Sequence, residues 1–181
     1  MAILKVLKLG NPVLRKKSID VEEDEIRTKE FKRLIRDMFD TMRHENGIGL
    51  AAPQIGVLKR VVVIGTEEEN PRYPNAPRLT DHILINPKIT YLSEPKEGEG
   101  FWEGCLSVPG MRGYVERPNK IQLEYYDEKW NFISKIVEGF PAIVYQHECD
   151  HLDGILYVDR LKNSRLFGFV EEIDTAGKDL D

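Results

Sequence analysis

Residues 140–154 read FPAIVYQHECDHLDG. Pro141 suits the first turn of a helix, where a missing N–H leaves nothing unpaired. Phe140, Ile143 and Val144 recur at helical spacing, and His147 and His151 continue the same stripe, because side chains four residues apart share one helix face. Both imidazoles are therefore expected to point into the core. Inward histidines are usually just satisfied core residues. With Glu148 directly after the first, however, the pair reads as HExxH: two nitrogen donors for one divalent cation, with a carboxylate beside it.

Working outward, Phe31, Leu34, Ile35, Met38, Phe39 and Met42 predict an earlier helix from Lys29, capped by Thr28 and ended by Asn46-Gly47. GIGLAAPQIG (47–56) reads as a glycine-rich loop feeding the strand RVVVIG. Short strands are expected at 83–86, at 88–93 and around Phe101. KIQLEYYD (120–127) and FISKIVEG, joined through Asp127–Asn131, form a hairpin signal. TEEENPRYPNAPRLTD (66–81) is charged and proline-rich and reads as a surface insertion. One helix, many short strands and a second helix make an α+β fold, with antiparallel sheets packed around a central HExxH helix.

At 181 residues the chain fits a single domain with a proper core. A net charge of −5 provides no basic excess for neutralising phosphates, which argues against a nucleic-acid binder working by bulk electrostatics, and no sequence-specific nucleic-acid partner is expected. The opening MAILKVLKLG is too short and too charged for a signal peptide, and no 18-residue apolar run suggests a membrane span. A cytoplasmic protein is expected, with Cys105 and Cys149 reduced rather than bridged.

A hydrolytic metal needs a third protein ligand. One protease pattern places a histidine six residues after the second, but Tyr157 stands there. Another places a glutamate about twenty residues on, and Glu171 meets that count, although LKNSRLFGFVEEIDT has only a weak helical stripe. Cys105, in FWEGCLSVPG (101–110), is the remaining candidate, against the plainer reading of a buried inert thiol. Cys149 should point away from the histidine face. These residues alone leave both Cys105 and Glu171 standing.

GIGLAAPQIG, EGCLSVPG and QHECDHLDG, in that order, closely resemble the three signature motifs of the peptide deformylases. The likeness spans a catalytic domain of residues 1–160, with 161–181 as a C-terminal tail packed on it or extending from it. It implies that Cys105, His147 and His151 hold one divalent ion, ferrous iron in the cell, with zinc, nickel or cobalt also accepted. It further implies that hydroxide formed on that ion attacks the formyl carbon of N-formyl-methionyl nascent peptides, with Glu148 as general acid/base. Gln54 and the Leu106 N–H would receive the oxyanion, and Gly49 would offer its backbone to an extended peptide. Ile48, Phe101, Phe140, Ile143 and Val144 would line the pocket for the first side chain, while Glu103, Arg117 and Arg112 would support the cysteine loop.

The chain also departs from the family pattern. Trp102 replaces a more typical polar residue. Some family members dock on the ribosome through a basic C-terminal helix, but residues 171–181 hold five acidic groups against one lysine. That argues against tail docking in any transient ribosome contact. No oligomeric state is implied.

Overall fold

Val61, Val62, Val63 and Ile64 form strand β2 (Val61–Ile64), and all four are fully buried. Such an unbroken apolar run fits a strand covered on both faces, since successive side chains point to opposite sides. Val61 and Val63 pack with Met38 and Met42 of helix α1 (Lys29–His44). Val62 and Ile64 pack with Ala142, Val144 and Tyr145 of helix α2 (Phe140–Leu152). The two helices thus cover opposite faces of one sheet. Burying each such side chain contributes about 1.5–3 kcal/mol. The computed structural model describes residues 2–66 and 77–176.

That sheet has five strands in the order β1-β2-β3-β6-β7: β1 (Gly49–Ala51), β2, β3 (His82–Tyr91), β6 (Lys120–Tyr126) and β7 (Phe132–Glu138). A three-stranded sheet, β4-β5-β8, combines β4 (Phe101–Cys105), β5 (Val108–Val115) and β8 (Phe167–Phe169). All the strand pairings are antiparallel. Among the described residues a short helix α3 (Val170–Ala176) follows.

The helix boundaries have local causes. The Thr28 hydroxyl accepts the Phe31 N–H at 3.2 Å, a cap worth about 1 kcal/mol. Asn46, with a φ of 54°, ends the helix. Pro141 sits in the first turn of α2.

Three expectations need correction. Residues 47–56 are not simply a loop: they contain strand β1 and a 3₁₀ turn, Ala52–Ile55. Glycine and alanine conceal that strand, because pairing with β2 holds it rather than any propensity of its own. The strands expected at 83–86 and 88–93 are one strand, bulged between Ile85 and Lys88. Asn86, at a φ of 52°, exchanges two side-chain hydrogen bonds of 2.9 Å with the Val21 backbone, which holds the kink. Strand β5 was not foreseen, since VPGMRGYV carries proline and glycine where a strand should alternate.

The surface insertion expected over 66–81 and the acidic tail over 171–181 fall partly outside the described residues, at 67–76 and 177–181. β8 pairs with β5, in register Met111↔Phe169 and Gly113↔Phe167. A third apolar cluster joins this small sheet to the segment after α2, through Cys105, Val108, Val115 and Tyr157 with Leu161 and Phe167 packed against them.

Candidate metal centre

His147 and His151 stand one turn apart on α2, with ring centroids 5.1 Å apart. Cys105 ends strand β4 at a register shift in the β4–β5 ladder, which turns its side chain toward that helix. Ligand atoms of Cys105, His147 and His151 all lie within 4.8 Å of one another. The Cys105 Sγ is 3.3 Å from His151 Nε2, and two such donors sharing a tetrahedral ion stand about 3.5 Å apart. Glu171 sits exposed on α3 and is not one of these three donors.

The charges suit a cation. Burial alone would push the Cys105 thiol up, but His151 and His147 outweigh burial and hold it well below its ordinary value. The thiolate is the form that binds metal. His147 Nδ1 is 2.8 Å from Glu103 Oε2; donation of an Nδ1–H there leaves Nε2 to face Cys105, the arrangement usual for a ligating imidazole. The donor set therefore fits a divalent transition-metal ion.

A buried charge network stands behind His147. Arg117 donates to Glu103 from Nε at 2.6 Å and from a terminal nitrogen at 3.0 Å. Its other terminal nitrogen donates to Asp150 Oδ2 at 2.8 Å. Arg160 adds a bond of 2.6 Å to Asp150 Oδ1. Burial alone would raise the Glu103 carboxyl, yet Arg117 and His147 bring it down to about 2. Glu103 and Arg117 thus form a buried ion pair that also reaches His147. Arg112 lies opposite Gly104 in the β4–β5 register.

Gln54 is buried in the 3₁₀ turn after β1. Its Oε1 accepts the Ala51 N–H at 2.9 Å, so Nε2 is turned toward Ser107 Oγ at 3.2 Å and Cys105 Sγ at 3.5 Å. Gln54, Gly49, Leu106, Cys105, His147 and Glu148 border a small cavity of about 20 Å³, room for one water. It shares Ile48, Gly104, His147 and Glu148 with a larger cavity of about 100 Å³. Ile48, Phe101, Phe140, Ile143 and Val144 all line the larger one, along with Trp102. The five apolar residues expected at a pocket therefore do meet at one.

Sequence reading missed several supports. Asp150 shares the His147 face at a spacing of three residues, and that spacing could have revealed it. Ser107 donates its N–H to Cys105 Sγ at 3.4 Å, and Lys8 Nζ donates to the Leu106 carbonyl at 2.9 Å. Leu9 N–H bonds the Ser107 carbonyl at 2.8 Å. The N-terminal segment at Lys8 and Leu9 therefore grips the cysteine loop, and no local pattern marks such a contact. Cys149 is buried, and burial pushes its thiol well up, which makes it inert.

The model of the polypeptide deformylase family matches residues 3–166. A peptide deformylase of Leptospira biflexa is 64% identical over 181 residues, covering 100% of both chains. A Met-Ala-Ser-bound crystal structure of a class I type b peptide deformylase from Acinetobacter baumannii superimposes with a TM-score of 0.81 at 38% identity, covering 88% of this chain and 99% of that one. The peptide deformylase of Thermotoga maritima gives a TM-score of 0.75 at 33% identity, over 90% of this chain and 100% of that one.

Proposed function

The chain belongs to the polypeptide deformylase family, and on that footing we propose that it hydrolyses the formyl amide of N-formyl-methionyl nascent peptides to formate and a free amine. The observation that carries the reading is the water-sized cavity bordered at once by Cys105, His147, Glu148, Gln54 and Leu106. Cys105, His147 and His151 hold one divalent ion, ferrous in the cell, with zinc, nickel or cobalt as substitutes. Such an ion supplies Lewis acidity and a nucleophile at neutral pH.

The remaining work falls to the chain's own groups. Glu148 takes a proton from the attacking water as the C–O bond forms. It returns that proton to the departing nitrogen as the C–N bond breaks, which is worth about 10²–10⁴ in rate. The Gln54 Nε2–H and the Leu106 N–H receive the negative charge developing on the formyl oxygen, each worth about 3–4 kcal/mol. Gln54 suits this role because its other amide end is tied to Ala51, so the donor is oriented before reaction. The apolar cavity takes the unbranched methionine side chain, and the Gly49 backbone pairs with the extended peptide. Residues 1–160 form the catalytic body, working in the cytoplasm beside the ribosome without docking through the tail.

Formate release from formyl-Met-Ala-Ser, with protein loaded with ferrous iron or zinc, tests the reading. Glu148→Ala should lose about 10²–10⁴ of the rate while keeping its metal. No formate above that variant's level would end the assignment.

A further inference from the structure

Gly49 lies in β1, opposite Ile64, in backbone geometry open to ordinary L residues. A methyl group at its Cα would nevertheless stand 2.5 Å from Glu148 Oε1 and 2.7 Å from both Cδ and Cγ. Those three atoms are its nearest neighbours, and all belong to one side chain. Gly154 differs: an added Cβ there would strike the Arg15 carbonyl oxygen at 2.6 Å and so oppose the fold itself. At Gly49 the collision is with the Oε1, Cδ and Cγ atoms of one side chain rather than with backbone.

We infer that Gly49 is a positioning residue for Glu148: its bare Cα is the wall against which the carboxylate rests. Glu148 comes from α2 and is buried, and it borders the water-sized cavity together with Gly49. A glutamate has three side-chain torsions, so something must select the rotamer that faces the water. β1 does so by contact, and only a residue without Cβ lets the strand approach this closely. The role is distinct from offering backbone hydrogen bonds to a peptide, and it rests on Glu148 being the proton carrier proposed above.

The experiment is a double-mutant cycle on the metal-loaded full chain, using Gly49→Ala, Glu148→Ala and the pair, assayed by formate release from formyl-Met-Ala-Ser. Displacing a reacting group by about 1 Å costs on the order of 10²-fold. Gly49→Ala should therefore lower kcat about 100-fold while KM, metal content and Tm stay near wild type. In the Glu148→Ala background, where these three nearest atoms are gone, Gly49→Ala should change the residual kcat by less than about twofold. Should Gly49→Ala alone fold poorly, the double variant must regain the Tm of Glu148→Ala.

Wild-type kcat in Gly49→Ala, an equal kcat loss in both backgrounds, or a raised KM with kcat intact would each overturn the inference. So would a double variant less stable than Glu148→Ala. If Glu148→Ala itself retained full activity, the proton-carrier reading would fail instead, so the two failures are distinguishable.

Discussion

His82 is tied from both sides of its ring. Its Nδ1 is 2.6 Å from the Thr80 carbonyl and its Nε2 is 2.8 Å from the Tyr145 hydroxyl. Donation of an Nδ1–H to Thr80 leaves Nε2 to accept from Tyr145, the pattern of a neutral imidazole. Burial lowers the His82 pKa first; the Thr80 bond opposes that and Lys135 adds to it, with Asp81 opposing as well. The neutral form is therefore favoured on folding. Stability from this group is complete above the unfolded value near 6.5 and is lost as pH falls below it toward the lowered folded value. Between pH 7.5 and pH 5, the wild type should lose more Tm than His82→Gln does, as read by thermal melts. Parallel loss in both proteins would refute this.

Helix α2 works as an element because its two faces have different tasks. One face buries Ala142, Tyr145 and Leu152 against the sheet; the other presents His147 and His151 to Cys105. The Glu103–Arg117–Asp150 network locks this second face to β4. Arg117→Ala would leave Glu103 buried without its guanidinium partner, while Asp150 keeps Arg160, a loss of about 3–5 kcal/mol. By freeing His147 it should also weaken metal affinity about 10–100-fold, with peptide KM little altered. Metal content after dialysis against a chelator checks this, and content equal to wild type would count against it. The amphipathic helices and the β6–β7 hairpin were legible because their periodicity records which face is covered. Strands β1 and β5 were not, because their glycines and prolines are set by neighbours that local sequence does not display.

At the scale of the whole molecule, the candidate centre joins the two sheets. Cys105 belongs to the small sheet, Gly49 and Gln54 flank the edge of the large one, and α2 connects them. Among the described residues no helix is long and apolar enough to cross a membrane. The small sheet depends on β8, which covers the β5 edge and brings Phe167 against the cluster containing Tyr157 and Cys105. Truncation after Leu166 should remove about 2 kcal/mol of apolar burial and lower Tm by about 4–8 °C. An unchanged melting curve would show that β8 does not support the site.

The residue types and their spacing were enough to single out two imidazoles and a carboxylate on one helix, because a helix converts spacing directly into shared direction. The three motifs in order pointed to Cys105 as their partner. Tertiary structure alone decided that Glu148 lies against a bare Cα in β1, that Asp150 and Arg160 complete the charge network behind His147, and that Lys8 holds the cysteine loop. Those contacts join segments far apart in the chain, and such pairings leave no period in the sequence to read.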